Sequence, residues 1–448
     1  MDSIVMKFGG TSIEDSAGIE RVVNIIKAHE RKNPILVFSA MGKTTRNLLR
    51  CGRLSEAGNL KDAVEQMERI RDYHLGIADG LIGDTKDVKQ KIESFFLEVG
   101  DHLDRIAASG TLNEKLLDSL LSFGELIATV LMERVTRERG LNTVWMDSRE
   151  LIKTNSLFTR AVPDKELTYS NIRREVLPLI ESNKLPLVQG FIGSTVDGET
   201  TTLGFEGSDF TATLIGSALD VSEIQIWKDV PGIMSADPVV VRNAFTIAHL
   251  SYEEASQLTI SGAKVLHPRT IWPAAEKNIP IHIRSSKDPV AGGTIITSQT
   301  DRTSGIVKSI GSKNRILCLR LCCKDRDKLN ENKIKSVLSD LPIRIYEIFK
   351  KRDSISIVFE DSADRDRLIG LLGQFGDTVV LDKKAVVSLI GEGISKKKGF
   401  EKIVSESLDG LFAEIIESRT SPIRCTLIVD EENLEKIVER LHRAFFGR

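Results

Sequence analysis

Cysteine is scarce and poorly spaced for its usual structural work. The five residues Cys51, Cys318, Cys322, Cys323 and Cys425 form no Cys-x-x-Cys pair and have no matching histidine cluster. This argues against a zinc site and against a disulfide framework. Cys318 and Cys322, inside the apolar stretch Ile316 to Cys323, read as buried structural thiols. Long hydrophobic runs are missing too, with nothing near the roughly 18 apolar residues of a membrane span. The N-terminus carries no basic region followed by an apolar stretch, so a cytoplasmic protein is expected. Charge of one sign is not in excess: 62 Lys and Arg against 64 Asp and Glu. No electrostatic footprint for nucleic acid or membrane follows, and the expected partners are small molecules. The 448 residues suffice for two or three domains with a sizeable core.

The chain does have a glycine corner at its start. Ile4-Val5-Met6 runs into Lys7-Phe8-Gly9-Gly10-Thr11-Ser12, which reads as a buried strand opening into a turn. Backbone N–H groups at Gly9 and Gly10 can approach an anion closely. A helix read as starting near Glu14 would add its positive end, and Lys7 a point charge. Taken alone, the same residues fit a plain strand-to-helix corner with a solvated lysine.

Short β-branched runs then alternate with helical periodicity. Ile35 to Phe38, Thr143 to Met146, Leu185 to Gln189, Glu223 to Trp227 and Ile279 to Ile283 read as strands. Ala17 to Glu30, Val88 to Ala107, Glu114 to Arg139 and Asp209 to Leu219 read as helices. This predicts an α/β domain with a largely parallel sheet and ligands at the strand carboxyl ends. A helix-rich block from about 60 to 109 interrupts the alternation. After the turn Ala291-Gly292-Gly293-Thr294 the strands become shorter and alternating, and the helices highly charged, so a boundary is placed near residue 300. Beyond it, strands at 341–349, 354–360, 378–382, 385–390, 411–417 and 423–429 alternate with helices near 325–340, 362–375, 396–409 and 431–446. Two βαββαβ-like α+β units are expected.

Gly42-Lys43-Thr44 looks like the end of a P-loop, but the glycine that motif needs at position 37 is Val37, inside a strand. A different set of motifs is present in order: Lys-Phe-Gly-Gly-Thr-Ser from Lys7, Ser39-Ala40-Met41-Gly42, Ser122-Phe123-Gly124-Glu125, Gly190-Phe191-Ile192-Gly193, and Thr201-Thr202-Leu203-Gly204 with Gly207-Ser208-Asp209. Trp227-Lys228-Asp229-Val230-Pro231-Gly232 and Gly262-Ala263-Lys264-Val265-Leu266-His267-Pro268 complete it. Together they resemble the aspartokinases, the aspartate-specific branch of the amino acid kinase family. The segments Ser39 to Thr45 and Ile224 to Val230 look most like the plant monofunctional form.

The resemblance implies an αβα catalytic sandwich over 1–300, then ACT (ferredoxin-like) modules over 301–384 and 385–448 that pair into a homodimer and could hold an amino-acid effector. It implies transfer of the ATP γ-phosphoryl group to the β-carboxylate of L-aspartate, with Mg2+, giving 4-phospho-L-aspartate and ADP. That is the first step toward lysine or diaminopimelate, threonine and methionine. Carried over residue by residue, Lys7 is the essential cation and Asp209 organises the lysines around the transferring group. Ser39, Thr44 and Thr45 offer hydroxyls to aspartate, and Glu125 takes its α-ammonium. Gly9, Gly10, Ser12, Ser208, Lys228, Asp229 and Lys264 meet the nucleotide, and no residue is assigned to metal. Bland readings stand beside these: an N-cap for Ser208 or Asp209, turn charges for Lys228-Asp229, and a structural His267.

Two departures stand out. The resemblance expects an arginine gripping a substrate carboxylate between Gly204 and Gly207, where this chain has Phe205-Glu206. A lost charge-assisted contact is worth roughly one to three kcal/mol, and Lys43, Arg46 and Arg160 are the candidate replacements. The stretch Leu321 to Asn330 lacks the glycine expected at the first ACT helix, and Phe349-Lys350-Lys351-Arg352-Asp353 replaces a hydroxyl-rich strand. Lysine inhibition is thereby placed in doubt. A kinase for another carboxylate, and an ACT sensor with a decayed kinase domain, are the competing functions.

Overall fold

The computed structural model describes residues 3–261, 266, 268–299, 306–322, 334, 336–338, 345–351, 353–361, 365–409, 411 and 417–447. The chain forms two compact units, one of residues 1–233 and 269–298, the other of 234–268 and 299–448.

In the first unit the fully apolar run Ile4–Phe8 forms β1, buried along its whole length as a strand covered on both faces must be. It pairs in parallel with β2 (Pro34–Phe38) on one side; on the other lies a strand much later in the chain, Glu223–Lys228. With β3 (Thr143–Met146), β4 (Leu185–Gln189), the hairpin β5 (Ile192–Ser194) and β6 (Thr200–Thr202), and numbering Glu223–Lys228 as β7, the sheet order is β3-β4-β2-β1-β7. Beyond β7 it continues with Ile281–Ser285, numbered β9 because His249–Ser251 of the second unit is β8, and an antiparallel β10 (Thr294–Thr297). Strand order therefore reverses at β1 and β7, which opens a crevice at their carboxyl ends. Register puts Phe38 and Trp227 on either side of Phe8, and the three rings stack at 5.3 and 6.1 Å. This aromatic row is fully buried.

The α/β reading holds, with corrections at the edges. The helix after the glycine corner begins at Ser16, not Glu14, because Gly10–Ile13 is a 3-10 turn and Asp15 caps the helix by accepting from Gly18 N–H. Its positive end is thus met by its own carboxylate rather than offered to a ligand. The last parallel strand starts at Ile281, two residues late, since Pro280 has no N–H to give a ladder. The helix-rich block is two long helices, Leu60–Leu81 and Lys86–Ser109.

In the second unit, β8 (His249–Ser251) leads into the helix Tyr252–Ile260 through a Ser251/Glu254 capping box. The remaining strands are β11 (Ser309–Cys322), β12 (Ile345–Lys350), β13 (Ser354–Glu360), β14 (Asp377–Ile390), β15 (Glu417–Thr420) and β16 (Arg424–Asp430). They form one antiparallel sheet in the order β12-β13-β11-β14-β16-β15, backed by helices Arg365–Gly373, Phe400–Leu408 and Leu434–Phe446. The strands expected at 378–382 and 385–390 are a single strand kinked at Lys383 (φ 53°), opposite a kink at Arg315 (φ 56°) in β11. These two strands run the length of the sheet, so Ser309 to Lys313 lie against Val386 to Ile390. The helix expected from 396 begins at Phe400, after Gly399 in the left-handed region. Most of the expected 325–340 helix and 411–417 strand lies outside the described residues.

Candidate active site

A cleft of about 630 Å³ opens above the carboxyl ends of β1 and β7 in the first unit. At one end Lys7 and Lys228, from neighbouring strands, both reach the Asp209 carboxylate, at 2.5 and 3.1 Å. Lys7 and Asp209 are buried, Asp209 only 2% exposed, and Lys228 is partly buried. Burial alone would push the Asp209 carboxyl up, but the two ammonium groups outweigh it and hold it below the usual carboxylate range. Burial likewise disfavours the charged Lys228, and the Asp209, Glu206 and Asp229 carboxylates more than restore it.

Asp209 stands in the first turn of the helix Gly207–Leu219, whose N-cap is Glu206 with no side-chain cap bond. The N-cap reading of Ser208 and Asp209 is therefore corrected: both are inside the helix, and its first turn, with Gly207, Ser208 and Asp209, lines the cleft. Close packing makes this possible. A Cβ on Gly190 would fall 2.4 Å from that of Ser208, and one on Gly10 would fall 2.4 Å from the Ala40 carbonyl oxygen.

The other end is built on the helix Glu114–Glu138, which presents Asp118, Leu121 and Glu125 to the cleft from one face. Glu125 is 3% exposed; its Oε1 accepts from Ala40 N–H at 3.2 Å, while Oε2 has no hydrogen-bond partner among the described residues. Burial pushes its carboxyl up to about 8, against the pull of Ala40 N–H and Lys7. A buried acceptor left unmatched is costly to the protein alone. Asp118 is fully satisfied, accepting from Thr159 N–H and Thr202 N–H, each at 2.8 Å, and from Thr202 Oγ1–H at 2.6 Å. Burial nonetheless raises its carboxyl above the ordinary range.

Backbone strain gathers here. Five described residues other than Gly, Asn and Asp have positive φ, and three of them line the cleft: Thr159 (66°), Phe191 (69°) and Glu206 (55°). Each costs of order 1–3 kcal/mol and persists only where its surroundings enforce it.

Of the residues singled out from sequence, Lys7, Gly10, Ser39, Thr45, Glu125, Ser208, Asp209 and Lys228 line this cleft. Gly9 does not, though its N–H bonds to Trp227 O. Ser12 is buried and shares a hydrogen bond with Ser286 at 2.7 Å. Thr44 is turned inward, its hydroxyl donating to Met41 O at 2.7 Å. Asp229 is exposed in the bend after β7, and Lys264 and His267 lie outside the described residues. Asp118 and Thr159 were missed, because a carboxylate inside an apolar helix and a threonine in a loop carry no local signal of a long-range bond. All three candidate cations are exposed and none lines the cleft; Arg160 differs in lying beside Gly204.

The model of the amino acid kinase family matches residues 2–285. Lysine-sensitive aspartokinase 3 of Escherichia coli is 32% identical over 455 residues, covering 99% of both chains. The chain belongs to the aspartokinases. Among relatives of this aspartokinase, chloroplastic aspartokinase 2 of Arabidopsis thaliana is 30% identical over 463 residues, 99% of this chain and 84% of the relative. Plant and bacterial relatives are thus about equally similar, and the plant-like motifs do not assign a branch. Among solved structures, E. coli aspartokinase III in complex with aspartate and ADP (R-state) superimposes with a TM-score of 0.89 at 31% identity, covering 99% of this chain and 100% of that one. The same enzyme with lysine and aspartate (T-state) gives 0.81 at 30% identity.

Proposed function

We propose that this aspartokinase transfers the γ-phosphoryl group of ATP to the β-carboxylate of L-aspartate through the cleft of the first unit. The observation that carries the assignment of residues is the pairing, in one cleft, of a lysine–aspartate–lysine cluster at a helix N-terminus with a buried carboxylate that has one oxygen without a partner among the described residues. The positive end of the helix dipole, Lys7 and Lys228 suit phosphate oxygens. Glu125 Oε2 suits the α-ammonium of an amino acid.

The β-carboxylate, with a reference pKa near ~3.9, arrives ionised, so the attack needs no general base. A carboxylate oxygen bonds to the γ-phosphorus as the bond to the bridging oxygen breaks, and ADP leaves. What the protein supplies is alignment of two anions and fixed positive charge on the transferring group. Asp209 holds both lysines in place, Ser39 and Thr45 border the substrate, and Lys7 is the residue assigned to the transferring phosphoryl group. No group of three or more His, Cys, Asp or Glu among the described residues is placed to hold a metal. Asp209 is already neutralised and Asp118 already bonded, so a protein-held metal does not fit. Magnesium is proposed only as the phosphates' own counter-ion, entering with ATP.

Residues 1–300 are proposed as the catalytic region, and 301–384 and 385–448 as ACT modules joining two copies of the chain. Whether they take an amino-acid effector is decided by titrating lysine and threonine against activity. The primary test traps the acyl phosphate with hydroxylamine, using aspartate, glutamate and N-acetylglutamate in parallel. Hydroxamate from aspartate alone, abolished by Lys7→Ala, is the expected result. Signal from another acid moves the substrate elsewhere, and silence with all three defeats the kinase reading.

A further inference from the structure

The charge of the cleft does not balance for the proposed substrate. Leaving aside Glu125, which is matched to the substrate ammonium, the described lining holds three acids, Asp118, Glu206 and Asp209, against two cations, Lys7 and Lys228, and both cations are committed to Asp209. Aspartate brings two more carboxylates. One must face the lysines, where phosphate is transferred; the α-carboxylate, next to the ammonium assigned to Glu125, faces away from them. A cleft with excess negative charge repels such a group unless another cation meets it.

The segment 157–161 supplies one. Thr159 lines the cleft in a left-handed conformation unusual for a β-branched residue, and Asp118 grips its N–H at 2.8 Å. The same Asp118 oxygen accepts from Thr202 N–H, which fixes the turn to the strand edge beside Gly204. Gly204 is needed there, since φ is 78° and a Cβ would lie 3.1 Å from Thr159 O. It would also lie 3.6 Å from Arg160 Cα and 3.8 Å from Arg160 Cβ, so the arginine starts at the cleft margin. The Arg160 side chain is exposed, and no ion pair to it is found among the described residues. A strained turn, locked by a buried carboxylate and ending in an uncommitted guanidinium, is a device for presenting that guanidinium.

We infer that Arg160 grips the α-carboxylate of the substrate, with Asp118 as the positioning residue that holds its turn. The guanidinium fork fits a carboxylate bidentately, and its charge offsets the surplus of the lining acids. This rests on the aspartate kinase reading above.

The test compares L-aspartate with its α-amide, which keeps the reacting β-carboxylate and the ammonium but lacks the α-carboxylate charge. The full chain, Arg160→Ala, Arg160→Gln and Arg160→Lys are assayed with both, the α-amide being read as a competitive inhibitor where turnover is undetectable. For Arg160→Ala and Arg160→Gln, KM for aspartate is expected to rise about tenfold or more while kcat changes less than about threefold. The constant for the α-amide and KM for ATP stay put, so the preference for the free α-carboxylate collapses. Arg160→Lys restores part of it. Equal loss for aspartate and α-amide, or loss for neither, overturns the inference while leaving the kinase reading intact. Absence of aspartate turnover in the unaltered chain overturns the reading on which it rests.

Discussion

The two ends of the cleft are built on opposite plans. At the end proposed to take phosphate, Lys7 and Lys228 share Asp209, and the carboxyl is held ionised despite near-complete burial. At the end proposed to take the amino acid, Glu125 Oε2 has no partner among the described residues and its carboxyl is pushed up to about 8. A site that binds a polyanion gains from cations fixed in advance, because little reorganisation is then needed when charge develops. A site that must recognise a small zwitterion gains from a vacancy that only the correct ammonium fills, since an unfilled one is a penalty borne by every wrong ligand. On the proposed assignment, catalysis and selection are thus divided between the ends served by two helices, Gly207–Leu219 and Glu114–Glu138.

That contrast is broken most severely at the preorganised end. Lys7→Ala removes the deeper of the two cations and leaves Asp209 half-compensated, so kcat/KM is expected to fall by roughly 10³-fold or more, mostly through kcat. Steady-state kinetics with varied aspartate and varied ATP check this. A loss confined to KM for aspartate would mean that Lys7 serves the amino acid instead.

Glu125→Gln sharpens the contrast from the other side. KM for aspartate should rise about 100-fold, with a smaller change in kcat. Because the Glu125 carboxyl is raised in the free protein, near neutral pH it is largely protonated, and an incoming ammonium ion favours its ionised form. Aspartate binding therefore releases a proton, and affinity improves as pH rises toward 8. Calorimetry in buffers of different ionisation enthalpy measures the release, which Glu125→Gln should abolish. The linkage also has a stability sign. A carboxyl whose folded pKa lies above its unfolded value stabilises the fold fully below about 4.5 and loses that contribution as pH rises through about 8. Denaturation of the ligand-free protein should show this decline, and Glu125→Gln should flatten it.

The plan of the phosphate end was largely legible in sequence, because it is local. Lys7 and Lys228 each close an apolar strand run, Asp209 opens an apolar helix, and parallel-sheet logic brings such ends together. Even there the wrong helix was credited first: the one after Gly10 is capped by Asp15, and the helix entering at Glu206 faces the cleft instead. The amino-acid end depends on contacts distant in sequence. Nothing near Asp118 announces a bond to Thr202, 84 residues away. Nothing near Thr159 announces φ of 66°. In the C-terminal region the period of the strands was readable, but the fusion of two expected strands into β14 was not, since Lys383 looks like an ordinary turn residue.

Asp118→Asn tests whether those distant bonds set the amino-acid end. The amide keeps shape but cannot accept from both backbone N–H groups and the Thr202 hydroxyl with ionic strength, so the 157–161 turn loosens. A rise in KM for aspartate of about tenfold, with KM for ATP unchanged, is the expected split. Equal changes in both would make Asp118 a general support of the fold.

The smallest effect separates two adjacent hydroxyls. Thr45 lines the cleft, while the Thr44 hydroxyl donates to Met41 O and lies 3.4 Å from His74 Nε2, a ring that burial pushes down to about 4 and so keeps neutral. Thr45→Val should raise KM for aspartate about three- to tenfold with stability unchanged. Thr44→Val should instead lower stability by about 1 kcal/mol, read as a shift of the urea midpoint, with KM nearly constant. The two residues share a motif and a side-chain type, so only the direction in which the loop turns each one distinguishes them. If the pattern came out reversed, the loop from Ser39 to Thr45 would have to reorient when aspartate enters. The amino-acid end would then owe its selectivity to closure rather than to a vacancy already formed.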